Sequence, residues 1–133
     1  MADRESFLKT LRRLGGPSFL IEDKSLKVYV DPVRLADGLP AADIVLLTRN
    51  HPDHCSVEDV MKVARPQTIV AGPADAVCRF RLNQLPLEAG QTKSVLGLPV
   101  TAVAAEQGLT YVVEFSGARI EVPGGLCVAS TAR

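Results

Sequence analysis

The chain has 133 residues, of which 47% are hydrophobic and 23% charged, with 15 basic and 15 acidic side chains. This length suits one domain with its own core, and the composition excludes a disordered chain. With a formal net charge of zero the chain has no overall field that attracts nucleic acid or charged membranes, so neither is expected as a partner. The apolar runs are far shorter than the roughly 20 residues of a membrane-spanning helix.

The cysteines predict the compartment. Cys55, Cys78 and Cys127 are an odd number, lie far apart and form no CxxC pair. Together with the lack of a secretion-type leader, this pattern predicts a reducing, cytoplasmic location without structural disulfides. No linker or low-complexity segment divides the chain, so residues 1–133 are predicted as a single domain.

The N-terminal third predicts one helix followed by a hairpin. Apolar residues recur at helical spacing from Phe7 to Leu14 and stop at Gly15-Gly16-Pro17, which predicts an amphipathic helix. The runs SFLIED and SLKVYVDP are β-prone, and they predict two strands joined around Asp23-Lys24. Pro32 ends the second strand because proline cannot donate to a ladder.

The middle of the chain predicts alternating strands and helices. The run IVLLT is short and uniformly apolar, which favours a buried strand. Ser56 and Asp59 resemble a capping box and predict a helix that ends before Pro66. Its predicted buried stripe consists of Val57, Val60, Met61 and Ala64. QTIVAGP predicts another strand, and Pro73 suits the start of a helix that carries Val77 and Phe80.

The last third predicts extended runs only. They are QTKSVLGLPVTAVAA, LTYVVEF and ARIEVPG, and Ser116-Gly117 predicts a two-residue hairpin turn between the last two. The predicted fold is therefore one α/β domain with a sheet covered by helices on one side.

Chemistry is concentrated in the stretch LLTRNHPDHCSVED, from Leu46 to Asp59. It contains His51, Asp53 and His54, and the chain has no other histidine. The loop follows a strand, which is where open α/β sheets place ligands. Zinc accepts imidazole and carboxylate, and three protein ligands leave one position for water. The alternative is a polar loop whose histidines bond to backbone groups.

A resemblance to a known family rests on several stretches in order. RLGGPSFLIEDKSLKVYVDP, AADIVLLTRNHPDH, IVAGP and YVVEFSGARIEVPGG resemble the first half of the metallo-β-lactamase superfamily, in its branch of small metal-dependent hydrolases and lactonase-like proteins. The resemblance runs from Leu14 to Gly125. It implies one half of a metallo-β-lactamase-type αββα sandwich, a mixed sheet with helices on one face, with the C-terminal half of the sandwich missing.

The family's signature loop reads T-H-x-H-x-D-H. Thr48 matches its threonine, Arg49 stands at its first histidine, and His51, Asp53 and His54 match the rest. The resemblance therefore implies His51, Asp53 and His54 as metal ligands, Asp53 also as the catalytic residue, and zinc, manganese or iron as the metal. In a mononuclear site Cys55 or an acid of a partner subunit is a further candidate ligand.

Other family positions carry no ligand here. The family's early G-H motif falls on Gly15-Gly16, a later histidine falls in VAAEQ, and the aspartate of a G-D-T motif is replaced by Gly125. The ligand set is thus incomplete. Asp31 matches a position that orients the loop in the family, and its alternative role is to accept backbone N–H groups at a strand end.

Two classes of function remain open. The first is a non-catalytic relative with lost or much reduced catalysis that binds a small molecule or oligomerises. The second is an active mononuclear hydrolase of an ester, lactone or phosphoester. In the first class Arg49 is predicted to pair with Asp53 and hold the loop in place of a metal. A half sandwich is expected to expose an apolar sheet face, which predicts a homodimer.

Overall fold

The structure, a computed structural model, describes residues 11–23, 26–106, 108–115 and 118–122. Within these ranges the chain forms ten strands and two short helices. The elements are β1 (Leu11–Gly15), β2 (Ser18–Asp23), β3 (Leu26–Val30), β4 (Ile44–Leu46), α1 (Val57–Val63), β5 (Ile69–Gly72), α2 (Ala74–Val77), β6 (Asn83–Pro86), β7 (Thr92–Val95), β8 (Leu98–Ala105), β9 (Gly108–Phe115) and β10 (Ala118–Val122).

The first six strands form a mixed sheet, sheet A, in the order β1-β2-β3-β4-β5-β6. The first three strands pair antiparallel, whereas β3, β4, β5 and β6 run parallel. Every side chain of β4 is fully buried, because the sheet is covered on both faces. One face carries the helices through a cluster that includes Leu20, Val45, Val60, Val63 and Phe80.

The other four strands form the antiparallel sheet B, in the order β10-β9-β8-β7. Sheet B packs on the second face of sheet A, and one apolar cluster fills the space between them. Phe19 and Val28 of sheet A share this cluster with Val100, Tyr111 and Ile120 of sheet B. The layers are therefore helix, sheet and sheet. The predicted α/β fold with a mixed sheet and helices on one face is confirmed.

The N-terminal helix prediction is wrong where the structure describes it. Leu11 to Gly15 is a strand that pairs antiparallel with β2, and Gly16 forms the turn with a φ of +55°. The leucines have helical spacing, but β1 is the edge strand of sheet A, and its pairing with β2 outweighs the local preference for a helix. The rest of the predicted helix, from Phe7 to Thr10, lies outside the described residues.

Several other elements agree with the sequence-based predictions. Asp23 lies opposite Leu26 in the β2–β3 pair, as the predicted hairpin requires. Ser56 caps α1, and its Oγ accepts the backbone N–H of Asp59 at 3.1 Å. The predicted stripe of α1 is wrong at Met61, which is 51% exposed, while Val63 is buried. Over the described residues, the helices are too short and too polar to traverse a bilayer.

Candidate functional site

The candidate site is the site loop, residues 47–56, which joins β4 to α1 at the carboxyl edge of the parallel strands. Its beginning is hydrogen-bonded to both sheets. Leu47 donates its N–H to the carbonyl of Ala71 at 2.8 Å and accepts the buried hydroxyl of Tyr111 at 2.6 Å. The N–H of Leu109 donates to the carbonyl of Thr48 at 2.7 Å. The loop therefore starts from a fixed backbone position.

Two glycines allow this close approach. A Cβ on Gly72 would lie 2.6 Å from the carbonyl oxygen of Leu47, and a Cβ on Gly108 would overlap the carbonyl oxygen of Thr48. Any larger residue at either position would push the loop away from its sheet. Because the two glycines have no side chain, the site loop can lie in close contact with both β5 and β9.

Asp31 lies directly beneath the loop, after the end of β3. Its backbone has a φ of +46°, in the left-handed region that non-glycine residues rarely adopt. The hydroxyl of Ser18 holds this conformation, because it donates to the carbonyl of Asp31 at 2.7 Å and accepts the N–H of Val33 at 3.0 Å. The Asp31 side chain is completely buried.

The Asp31 carboxylate is the centre of the site's hydrogen bonds. Oδ1 accepts the N–H of Thr48 at 2.8 Å, and Oδ2 accepts the hydroxyl of Thr48 at 2.6 Å and lies 2.8 Å from Nδ1 of His54. Burial raises the pKa of this carboxyl, and the hydrogen bonds from Thr48 and His54 oppose the rise. Both predicted roles of Asp31 are present: it accepts a backbone N–H and it orients the loop.

His54 is oriented by this carboxylate. With Asp31 ionised, Nδ1 of His54 carries the proton and donates it, so the lone pair of the neutral ring is on Nε2. The His54 side chain is 22% exposed. This leaves one imidazole nitrogen in a fixed orientation and partly open to solvent.

His51 and Asp53 have a different environment. Their side chains are 55% and 70% exposed, and the Asp53 carboxylate lies 3.9 Å from Nδ1 of His51. The N–H of Asp53 donates to the same Nδ1 at 3.1 Å, so a neutral His51 carries its proton on Nε2. The rings of His51 and His54 are edge to face, with centroids 6.2 Å apart.

The donor set does not fit a metal ion with three protein ligands. His54 offers Nε2, but the lone pair of His51 is used by a backbone N–H, and the carboxylate of Asp53 is mostly in solvent. Over the described residues, no group of three or more His, Cys, Asp and Glu side chains has metal-binding geometry. The assignment of His51, Asp53 and His54 as ligands, with Asp53 as catalytic residue, stays a prediction.

An arginine outside the loop binds it. Nη1 of Arg79, just after α2, donates to Oδ1 of Asn50 at 3.0 Å and lies 3.5 Å from Sγ of Cys55. Arg79 thus contacts the residues on either side of the histidine segment 51–54, and no motif in the sequence indicates this role. The pairing of Arg49 with Asp53 stays a prediction.

Cys55 is poorly suited to nucleophilic chemistry. Its side chain is buried, and burial raises the pKa of the thiol, although the Arg79 guanidinium opposes the rise. A raised pKa keeps the sulfur in the unreactive thiol form at neutral pH. This agrees with a packing role for Cys55.

Asp59 is a second residue whose role the sequence shows only in part. Its carboxylate accepts the N–H groups of Arg34 at 2.8 Å and Leu35 at 3.0 Å, the hydroxyl of Ser56 at 2.8 Å, and lies 3.3 Å from Nζ of Lys62. Arg34 has a φ of +52°, so Asp59 stabilises a second strained residue close to Asp31. The capping-box spacing indicates Asp59 in α1 but not its contacts with residues 34 and 35.

Comparison with known proteins identifies the family. The profile of the beta-lactamase superfamily domain matches residues 10–132, so the chain belongs to this superfamily. Comparison with curated proteins finds no match.

Three solved structures, each less than 25% identical to the chain, bear on the fold alone. A protein of Parabacteroides distasonis ATCC 8503, provisionally described as a metal-dependent hydrolase, has a TM-score of 0.79 at 22% identity, over 86% of this chain and 59% of that one. CmlA, a diiron β-hydroxylase from Streptomyces venezuelae, has 0.72 at 17%, over 84% and 28%. Igni18, a metallo hydrolase from Ignicoccus hospitalis KIN4/I, has 0.64 at 13%, over 83% and 57%. The chain thus spans less than two thirds of these structures.

Proposed function

We propose that this chain is a relative of the metal-dependent hydrolases with lost or much reduced catalysis, whose site loop binds a small polar molecule. One observation supports the proposal: of the three groups expected to bind a metal, the acceptor nitrogen of His51 is bonded to the backbone N–H of Asp53, and the Asp53 carboxylate is mostly in solvent. A hydrolytic water needs a metal held by about three such groups.

Recruiting these groups would require the site loop to rearrange. The carbonyl of His51 accepts the N–H groups of His54 at 2.8 Å and Cys55 at 2.7 Å, which closes the turn between the two imidazoles. Arg79 binds the same segment from the outside. A metal would therefore have to break the Asp53–His51 hydrogen bond and turn Asp53 inward against these restraints.

The proposed ligand is a small molecule with a hydroxyl or amino group. Nε2 of His54 is an oriented acceptor, because its Nδ1 is directed at Asp31. The side chain is partly exposed, so a solute can reach it without opening the fold.

Metal analysis of protein purified without chelators tests the proposal. We expect much less than one zinc, manganese or iron per chain, and no hydrolysis of ester or phosphodiester substrates with or without added Zn²⁺ or Mn²⁺. Near-stoichiometric metal together with metal-dependent turnover would contradict it. His54→Ala is the matched variant, because any activity that survives this substitution arises from another site or a contaminant.

A mononuclear metal-dependent hydrolase is the second candidate, and the His54–Asp31 pair favours it. Metal-binding histidines commonly donate their second N–H to a carboxylate, and the 2.8 Å contact has this form. In this case zinc binds to His54 and is lost in both His54→Ala and Asp53→Ala.

A cytoplasmic location stays part of the proposal, supported by the free thiols of Cys55 and Cys78.

A further inference from the structure

The sheet face expected to form a dimer is mixed in character. The outer face of sheet B, which has no layer packed on it among the described residues, combines polar or charged residues with apolar ones; the first group is Thr92, Ser94, Thr101, Thr110, Glu114, Arg119 and Glu121, and the second is Pro99, Val103, Ala105 and Val112. Val103 is 40% exposed. This face therefore gives no uniformly apolar surface for a dimer, and the edges of the two sheets are the other candidate surfaces.

Among the described strands, three of the four sheet edges carry features that prevent pairing with another strand. The edge strand β1 has two adjacent arginines, Arg12 and Arg13, and an irregular register before Gly15. The edge strand β6 ends in Pro86, and β7 is four residues long and carries Lys93. Proline, bulges, lysine and short length are the usual protections of exposed edges.

The fourth edge, β10, has no proline, lysine or bulge within its length, and its two charged residues, Arg119 and Glu121, have opposite signs. It contains no proline or glycine, and its register with β9 is regular over all five residues. It alternates regularly, with Ile120 and Val122 buried and Arg119 and Glu121 exposed. Among the described strands it has a neighbour on one side only.

The backbone of β10 directs its free groups outward at the two charged residues. Phe115 and Ala118 are partners across a connection of two residues, which makes them a hydrogen-bonded pair. In an antiparallel pair the hydrogen-bonding direction alternates with each residue. Ala118, Ile120 and Val122 therefore bond to β9, and the N–H and C=O groups of Arg119 and Glu121 point away from it.

We propose that β10 pairs antiparallel with β10 of a second copy of this chain about a two-fold axis at Ile120. In this register Arg119 lies opposite Glu121 of the second copy, and Glu121 lies opposite Arg119 of the second copy. The outward backbone groups of these residues bond to each other, and each opposite-charge pair stabilises the contact. The pairing is self-complementary, as a two-fold interface requires.

This pairing joins two four-stranded sheets B into one sheet of eight strands. The side chains of Ile120 and Val122 in the two copies lie on the same face, so the cores between the sheets become continuous across the axis. A contact of one five-residue strand pair is smaller than a standard protein interface. The dimer is therefore reversible and depends on concentration.

Sedimentation equilibrium of the 133-residue chain tests the proposal. The protein concentration is varied from about 10 µM to about 500 µM, because a small interface of this kind is expected to associate weakly. Arg119→Glu and Glu121→Arg each place like charges opposite each other at two positions. We expect each to weaken dimerisation by about tenfold or more. The double variant R119E/E121R restores both opposite-charge pairs and is expected to dimerise like the original chain.

Two further variants distinguish pairing through β10 from a general effect of surface charge or of misfolding. Arg81→Glu makes the same charge change at an exposed residue away from β10 and should leave dimerisation unchanged. Glu121→Pro removes an N–H that β9 does not use, so circular dichroism should stay unchanged while dimerisation is lost.

Four results would overturn the proposal. The first is a chain that stays monomeric throughout this range, and the second is a dimer that is insensitive to R119E and E121R. The third is a double variant that fails to recover dimerisation, and the fourth is a dimer that survives E121P.

Discussion

The two histidines of the chain lie three residues apart and yet have opposite hydrogen-bonding roles. Nδ1 of His54 faces a buried carboxylate at 2.8 Å, whereas Nδ1 of His51 accepts a backbone N–H at 3.1 Å. Because a neutral imidazole has one donor and one acceptor nitrogen, the two rings carry their protons on different nitrogens. This difference decides which nitrogen each ring offers to a ligand.

The tautomers can be measured directly. We expect long-range ¹H–¹⁵N NMR spectra at alkaline pH to show His54 protonated at Nδ1 and His51 protonated at Nε2. The chain has two histidines in total, so His51→Gln assigns the signals without ambiguity. Asp31→Asn removes the charged acceptor and should reduce the Nδ1–H population of His54 while His51 is unchanged. Equal tautomers in the original chain would contradict the hydrogen bonds described for the site.

At the scale of elements, one carboxylate joins α1 to the segment after β3. Burial acts to raise the pKa of Asp59, but the hydrogen bonds from Leu35, Ser56, Arg34 and Lys62 together lower it to about 2. The ionised form is therefore favoured by folding. This contact fixes residues 34 and 35, which are three and four positions after Asp31, and so it supports the segment that holds the site carboxylate.

The lowered pKa predicts an acid-sensitive contribution to stability. The folded pKa of about 2 lies below the unfolded value of 3.8, so the contribution is present above about pH 4 and is lost as the pH falls toward 2. We expect Asp59→Asn to reduce the free energy of unfolding by about 2 kcal/mol at neutral pH and by much less at about pH 2.5. Urea unfolding at several pH values measures this difference.

A matched control separates the charge from the cap. Ser56→Ala removes one hydroxyl donor and the helix cap, with an expected cost of about 1 kcal/mol and a weaker dependence on pH. If Asp59→Asn lost the same stability at pH 2.5 as at pH 7, its effect would be steric rather than electrostatic.

The elements show what the sequence can and cannot predict. β2, β3, β4 and β5 follow local patterns of apolar residues and turn residues, which suffice because these strands are buried on one or both faces. The pattern of β1 predicts a helix instead, because Leu11 and Leu14 fit a helical period and only the pairing with β2 decides otherwise. In β6 the run NQLP has no alternation, and its pairing with β5 alone makes it a strand.

The position of the candidate loop after β4 was predictable from the sequence, whereas its hydrogen bonds were not. The strand-then-loop pattern located His51 and His54, whereas their tautomers depend on contacts with Asp31 and Asp53 that the sequence does not specify. The loop contacts of Arg79 and Tyr111 come from residues 24 and 64 positions away. Such long-range contacts leave no local signal.

At the scale of the whole molecule, the two sheets depend on each other. One apolar cluster contains side chains of both sheets, and the hydroxyl of Tyr111 in sheet B is a buried donor to Leu47 at the start of the site loop. Among the described residues, the facing surfaces of sheets A and B have no apolar layer to pack on other than each other. Sheet B is therefore expected to unfold together with sheet A in a single transition.

The two tyrosines make this expectation testable, since Tyr29 lies in sheet A and Tyr111 in sheet B, and the chain has no tryptophan. Tyr29→Phe leaves a fluorophore in sheet B, and Tyr111→Phe leaves one in sheet A. In each variant the fluorescence and circular dichroism transitions in urea should coincide. Tyr111→Phe should cost about 1–3 kcal/mol because a buried carbonyl loses its donor. Loss of Tyr111 fluorescence at lower urea than the loss of circular dichroism in Tyr29→Phe would instead establish sheet B as a separate, weaker unit.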